Sequence, residues 1–294
     1  MRLPYVLNEE LSDDLAEGRR RPEWMWVALR GERLIARAAW WSSPGADAPA
    51  LLDVLDIDDD SSDPDRADVA VHMLRTAIAA TTSIDARPPD YVRFVPPDWR
   101  EDAVTKKAVE DRLATAARTG ARLFVERLRL EWRPGTPIRA ADERLRFRPV
   151  HDEEELLVLL TAVLEGTLDA HSRTDLSRMS AREAAASQYE DEFARYTSPR
   201  DWWQIATLPD GDAVGLVIAA RNDYNPVIAY LAVLPQHRGH GYVDAILAEG
   251  TRVLAAQDVP RIRAATDLDN TPMAAAFRRA GWVNFERAIH MTWS

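Results

Sequence analysis

Residues 227–256 read VIAYLAVLPQHRGHGYVDAILAEGTRVLAA, and the change of period in the middle of this stretch decides the fold. Residues 227–234 are β-branched, aromatic or aliphatic without interruption, the pattern of a strand buried on both faces, and Pro235 ends them. From Tyr242 onward Val243, Ile246, Leu247, Val253 and Leu254 recur at helical spacing, with Asp244, Glu249 and Arg252 between them. Between strand and helix lie Gln236, His237, Arg238, Gly239, His240 and Gly241. A glycine turn that opens a helix presents unpaired backbone N–H groups at the positive end of the helix dipole, which suits a phosphate or pyrophosphate. The spacing here is neither the dinucleotide G-x-G-x-x-G nor a loop ending in Gly-Lys-Ser/Thr.

Downstream, the pattern predicts a strand at 261–266, a short helix at 271–279 with Pro272 in its first turn, and a closing strand at 284–293. Upstream it predicts a strand at 145–150, a helix at 151–168 with Leu156, Leu157, Leu160 and Leu164 on one face, and a polar loop from 170 to 178. A second helix, 181–196, starts behind Ser180 with Glu183 at the capping-box spacing. Residues 202–207 and 213–220 form a hairpin over the turn PDGD.

The first half reads as a helix at 9–17, a hairpin of 24–29 and 33–41 about Gly31, and a strand at 51–57. An acidic loop, 58–65, leads to a helix at 67–80, a strand at 91–95, a helix at 103–118 stopped by Gly120, and a strand at 123–132. Residues 133–143 contain Pro134, Gly135 and Pro137 and have no periodicity, so the domain linker is expected there, between domains 1–132 and 144–294.

The halves overlay on each other. At one offset Ala114, Arg118, Gly120, Phe124 and Trp132 fall on Ala275, Arg279, Gly281, Phe285 and Trp293; at another, Trp24 and Ala28 fall on Trp202 and Ala206. Different offsets mean loop-length changes inside a duplicated unit.

The order strand, helix, helix, hairpin, strand, glycine loop, helix, strand, helix, strand in 144–294, with the runs IAYLAVLPQHRGHG and TDLDNTPMAAAFRRAGW, resembles the GNAT superfamily of N-acetyltransferases. The resemblance implies an α/β (mixed α+β) chain of two tandem GNAT-like domains, each a mostly antiparallel, twisted mixed sheet flanked by helices. It further implies acetyl-CoA as cofactor. The pantetheine arm would lie along the strand carried by Leu231, Ala232 and Val233, and the pyrophosphate on the loop of Gln236, His237, Arg238, Gly239, His240, Gly241 and Tyr242. Asn270 and Phe277 match family positions near the cofactor arm, but the family often has at Phe277 a tyrosine that protonates the departing thiolate, and a phenyl ring cannot donate a proton.

The implied reaction is direct attack of a neutral amine on the thioester, and that amine must first lose a proton. Candidate bases are Asp267 and Asp269, just past a strand end, with Asp175, His171 and Glu192 in the helix-loop-helix that covers the acceptor side in the family. The first half carries DDDSSDPD at 58–65 in place of the glycine loop, and its aspartates would repel a pyrophosphate. It is therefore expected to be a degenerate copy with a solvated acidic loop. The alternative to an enzyme is a non-catalytic acyl-CoA-binding or scaffold protein.

Composition narrows the partners. The 294 residues are 46% hydrophobic, enough for two cores, and carry 37 basic against 48 acidic residues, a net charge of −11 that disfavours nucleic acid or an anionic membrane. A small-molecule or peptide amine fits that charge better, acting on a monomer or homodimer. With no cysteine there is no disulfide framework or thiolate metal site, which suits a cytoplasmic protein. His237 and His240 are three apart without an evident third ligand, so no metal site is expected. No apolar run reaches the ~18 residues of a membrane span.

Overall fold

The computed structural model describes residues 7–59, 63–83 and 86–293. Its elements in chain order are α1 (Leu7–Ala16), β1 (Met25–Arg30), β2 (Arg33–Trp41), β3 (Leu51–Ile57), α2 (Arg66–Thr81), β4 (Tyr91–Val95), α3 (Ala103–Ala117) and β5 (Arg122–Trp132). Then follow β6 (Arg146–Pro149), α4 (Glu153–Val163), α5 (Ala170–Leu176), α6 (Ala181–Asp191), β7 (Trp203–Thr207), β8 (Ala213–Arg221) and β9 (Pro226–Val233). The chain closes with α7 (Tyr242–Ala255), β10 (Ile262–Asp267), α8 (Thr271–Arg279) and β11 (Val283–Thr292).

Two units result, one of Met1–Arg127 with Glu286–Ser294, the other of Leu128–Phe285. This division differs from the expected 1–132, 133–143 and 144–294: residues 128–132 go with the second unit, and most of the closing strand goes with the first. The reason is packing. Arg287 to Met291 pair antiparallel with Val95 to Tyr91 of β4, and Met291 and Trp293 sit in the first unit's core. Leu130 and Trp132 are buried in the second. A boundary drawn from prolines and glycines sees the loop between strands, not the sheet each strand joins.

In the first unit the strand order is β1-β2-β3-β4-β11, antiparallel except for the parallel pair β3–β4. In the second it is β5-β10-β9-β8-β7-β6, with β6 to β9 antiparallel and β9–β10 parallel. Along β8 the side chains alternate between two cores: Val217 and Ala219 pack with α7, Leu216 and Ile218 with α4 and α6. Gly250 of α7 allows the close approach, since a Cβ there would lie 2.5 Å from Val217 Cγ2 and 3.0 Å from Ile228 Cδ1.

The helices on the other face depart from the expected ones. α4 starts where Asp152 accepts from the N–H of Glu155 at 2.8 Å, but stops at Val163 rather than 168, and Gly166 takes φ +62 in the connection that follows. The expected polar loop holds a helix, α5, capped by Asp169, whose side chain accepts from the N–H of Ser172 at 2.8 Å. The capping box of Ser180 and Glu183 is present at the start of α6, which ends at Asp191 instead of 196. Positions that overlay in the sequence share a conformation: Gly120 and Gly281 both have positive φ, and Trp24 and Trp202 each end a 3-10 turn before a hairpin strand.

Candidate functional site

β9 is bulged. Ile218 pairs with Tyr230 and Ala219 with Ile228, so Ala229 is the extra residue that bends the strand. On its other edge, β9 shares one paired position with β10 among the described residues, Val227 with Arg263, at the start of both strands. Past it the strands run on without mutual pairing, forming a fork. Leu234 donates to the carbonyl of Val214 at 2.8 Å, and Gly215 stands opposite Val233. The antiparallel alternation therefore turns the backbone groups of Leu231 and Val233 away from β8, into the fork. That backbone edge is where the sequence placed the cofactor arm.

The loop at the end of β9 makes a 3-10 turn at Pro235–His237, then Gly239 and Gly241 adopt φ +83 and +77. A Cβ at either glycine would meet nothing within 4 Å, so the requirement is conformational rather than steric. Among the described residues the N–H groups of Gly239, His240, Gly241, Tyr242 and Val243 donate to no protein acceptor. Five successive free donors at the start of a helix are an anion nest.

Gln236 and His240 are exposed. The rings of His237 and His240 lie 6.2 and 6.0 Å from that of Tyr242. Arg144 stands over the Tyr242 ring at 4.8 Å and donates to the carbonyl of His240 at 3.3 Å. Its hydrogen bonds to Asp142 hold that carboxyl down to about 2. Asp244, in the first turn of α7, would oppose an anion there, but Arg279 donates to it at 2.6 Å and Arg139 at 3.3 Å. Nothing in the local sequence sets Arg139, Arg144 or Arg279 apart from the chain's other arginines.

Arg238 does not aim at the nest. Its Nη2 donates to the carbonyl of Val163 at 2.8 Å, its Nη1 to those of Glu165 at 2.7 Å and Gly166 at 3.4 Å, and its Nε to that of Val233 at 3.2 Å. Asn270 caps α8 by accepting from the N–H of Met273 at 3.3 Å. Phe277 is 2% exposed, its ring edge-on to Trp282 at 5.1 Å, a core position.

The candidate bases are dispersed. Asp267 is buried, and its Oδ2 accepts from the N–H of Ala170 at 2.7 Å. Asp269 is exposed two residues on; His171 and Asp175 are half-buried on α5; Glu192 is exposed at the end of α6, accepting from the hydroxyl of Tyr196 at 2.7 Å. The sequence reading missed Tyr230, the first residue past the bulge. Its ring lies edge-on to Phe193 at 5.8 Å, and Phe193 in turn stacks with Tyr196 at 6.5 Å. Burial, with Asp169 and Glu192 adding, pushes the Tyr230 phenol well up, so it stays protonated at neutral pH. A bulge has no sequence signal of its own, so the position could not be singled out.

In the first unit, β3 is bulged at Asp53, since Ala39 pairs with Val54 and Trp40 with Leu52, and among the described residues β3 meets β4 at one pair, Leu52 with Tyr91. Here the fork is filled. Arg112 of α3, 1% exposed, donates to the carbonyl of Ile57 at 2.9 Å and forms a bidentate pair with Asp59 at 2.6 and 2.7 Å. Arg93 donates to the fully buried Asp56 at 3.1 Å. The acidic loop is not solvated as expected: Asp58 is buried and paired with Arg33 at 2.6 Å, and Asp63 pairs with Arg30. Asp60 lies outside the described residues. Their arginine partners lie far off in the sequence, which is why composition alone suggested a repulsive loop.

Residues 169–282 match the family described as Acetyltransferase (GNAT) family. No curated protein matches the chain. Among solved structures, a GCN5-related N-acetyltransferase from Sphaerobacter thermophilus is similar with TM-score 0.59 at 16% identity, over 98% of this chain and 85% of that one. A tandem GNAT protein from the clavulanic acid biosynthesis pathway gives 0.53 at 15% identity, over 99% and 89%. A GCN5-related N-acetyltransferase from Kribbella flavida gives 0.51 at 14% identity, over 99% and 96%. The mixed α/β chain therefore has the GNAT fold, shared with a tandem member, and its family match covers the fork and the glycine loop. Among the described residues no group of three or more His, Cys, Asp or Glu side chains could hold a metal ion, and no helix is long and apolar enough to cross a membrane.

Proposed function

We propose that the second unit is an acetyl-CoA-dependent N-acetyltransferase acting on a small-molecule or peptide amine. The observation that carries this reading is the fork of β9 and β10 ending at the nest of free N–H groups from Gly239 to Val243. The backbone of Leu231, Ala232 and Val233 would hold the pantetheine arm, and residues 237–242 the pyrophosphate. Acetyl-CoA would supply a thioester carbonyl open to attack.

An amine of pKa ~10 is protonated at neutral pH, so a side chain has to take its proton. Asp267, Asp269, His171 and Glu192 are the bases proposed for that role, Asp267 accepting from the N–H of Ala170 and Glu192 from the hydroxyl of Tyr196. Phe277 donates nothing, and a thiol of pKa ~8.5 departs as thiolate without a dedicated acid. The first unit holds no cofactor in this reading, because it has no glycine nest and carries Asp58, Asp59 and Asp63 after β3, which would repel a pyrophosphate, with Arg112 bound among them.

Two measurements test this. Thiol release from acetyl-CoA should occur with some member of a broad amine panel and disappear in Gly239→Asp; tight binding without release across the panel would favour the non-catalytic acyl-CoA-binding protein instead. Calorimetry should give one acetyl-CoA per chain, and two would overturn the reading of the first unit.

A further inference from the structure

The second unit carries a cluster of arginines at the closed end of its fork. On β10, Ile262 and Ala264 pack into the core with α7, so Arg263, Ala265 and Asp267 lie on the opposite face. Asp267 shows which face that is, because its carboxylate takes the N–H of Ala170 at the start of α5. On β5, the neighbour of β10 in the sheet, Leu130 and Trp132 enter the same core, which puts Arg129 and Glu131 beside Arg263 on the α5 face. The ring of Phe285 holds the two arginines: the Arg263 guanidinium stands 3.7 Å from its centroid and that of Arg129 5.3 Å. A guanidinium stacked on an aromatic ring keeps its in-plane N–H groups for a carboxylate or phosphate, which it can grip by two parallel bonds.

The carboxylate at hand is shared. Glu131, 6% exposed, pairs with Arg263 at 2.7 Å and also with Arg133, while Arg261 donates to the amide oxygen of Asn225 at 2.9 Å. Burial pushes the Arg263 guanidinium below its ordinary value; Glu131 opposes this, and Arg261 and Arg129 add to it. A desolvated cation that shares its carboxylate gains from one more anion. There is room for one: Arg263 keeps 19% of its side-chain surface, and Ala265, next along the same face, is exposed and has no side chain beyond Cβ. Arg263 also marks where the fork closes, since it pairs with Val227 and the strands diverge past it.

We infer that Arg263, with Arg129 beside it, is the anion subsite of the acceptor, so that the amine taken by the second unit carries a carboxylate or a phosphate. This rests on the reading that the second unit binds acetyl-CoA. A cofactor with its pyrophosphate on the nest and its arm running back from Val233 to Leu231 brings its acyl end toward the bulge at Ala229 and the pair of Val227 with Arg263. An amine that reaches the acyl group from the α5 face then has its remaining groups over β10 and β5, where Arg263, Arg129 and Phe285 lie. Both arginines hold the acceptor's anionic group, and neither touches the reacting atoms. The net charge of −11 gives no sign of this preference, because one local cluster of arginines is lost in the sum.

Matched amines on the full chain read this directly. Thiol release from acetyl-CoA is followed with the free amino acids against their carboxamides, and with phosphoethanolamine against ethanolamine, so that the two kinds of pair tell a carboxylate from a phosphate. For the preferred pair the anionic member should have a kcat/KM at least about tenfold higher, the worth of one charge-assisted contact. That preference runs against reactivity, since amidation lowers the pKa of the neighbouring amine and frees more of it for attack. In Arg263→Met the ratio of anionic to neutral member should fall at least about tenfold, and in Arg129→Met it should fall less. A ratio taken within one variant does not depend on how much of that variant folds. Calorimetry repeats the comparison without turnover: the N-acetyl form of the best anionic amine should bind at least about tenfold more tightly than its neutral counterpart, and Arg263→Met should remove that difference. A ratio of about one or below in the parent chain overturns the inference alone, and so does a preference that both variants keep in full. No thiol release with any amine overturns the functional reading and this inference together.

Discussion

Two bulged strands that each lead into a fork, β3 and β9, differ in what stands beside them. Each loses register against its antiparallel partner, at Asp53 and Ala229, and among the described residues each meets the next parallel strand at one pair before diverging. In the first unit the space is closed by Asp56, Asp59, Arg93 and Arg112, with a guanidinium bound to the Ile57 carbonyl. In the second the neighbouring helix puts Met273 and Phe277 into the apolar core instead, and the strand runs into a glycine nest. A fork in this fold is a cost, because it leaves backbone groups unpaired, and it persists where something satisfies them. One unit answers with a network of its own side chains; in the other Arg238 takes the Val233 carbonyl, and the N–H groups of the nest donate to no protein acceptor among the described residues.

The largest effect expected from breaking this contrast is at Arg112. Arg112→Met leaves Asp59 without its bidentate partner and Asp56 with Arg37 and Arg93 beside it, and removing one member of a buried ion network costs about 3–5 kcal/mol. Urea unfolding should show a loss of that size, with acetyl-CoA stoichiometry still at one, because the aspartates remain. A second equivalent of acetyl-CoA bound by this variant would mean that the arginine alone kept the first fork shut.

Next comes the nest. Gly241→Asp puts a side chain at φ +77 and a carboxylate among the free N–H groups, so acetyl-CoA should bind at least about 100-fold more weakly, or ~2.7 kcal/mol. The melting temperature without ligand should move little by comparison. Unchanged affinity by calorimetry would place the pyrophosphate elsewhere and erase the difference between the two loops.

Much of this was legible in residues 227–256 because strand, glycine turn and helix each have a local signal. The strands at 51–57 and 91–95 and the helix at 271–279 fall where the periodicity put them. What escaped was set by distant partners. α5 reads AHSRTDL, too short and polar for a period, and takes shape from Asp169 and Asp267. α4 stops inside a leucine-rich run because of Gly166 and Arg238. The arginine that a motif reading assigned to the cofactor turned out to face a helix end, because a side chain's direction is decided by what surrounds it in space. The bulges at Asp53 and Ala229 are differences of register between strands, which no single strand's sequence contains.

A smaller effect belongs to Gly250, which seats α7 on the second unit's sheet. Gly250→Ala would press Cβ to 2.5 Å from Val217 Cγ2, and overpacking of this kind costs about 1–3 kcal/mol. Thermal unfolding should register it, with acetyl-CoA affinity falling in step because α7 carries the nest. A loss of stability with affinity untouched would show that the nest does not depend on how closely the helix sits.

The smallest effect concerns how each unit closes. In the first, Glu126 of β5 accepts from Arg287 of β11 at 2.9 Å and from Arg100; in the second, Glu131 pairs with Arg263 at 2.7 Å. Burial alone would raise the Glu126 carboxyl, but the bonds donated by Arg100 and Arg287 outweigh it and hold the group below its ordinary value. A depressed carboxyl contributes stability that is fully present above its unfolded pKa of ~4.3 and is lost as pH falls through the lower folded value. Glu126→Gln lacks that contribution at every pH. Its melting temperature should therefore lie below that of the parent chain at pH 7, and the gap should close on acidification below ~4.3. A gap that stays constant into acid would mean that Glu126 closes the first unit by shape and neutral hydrogen bonding rather than by its charge.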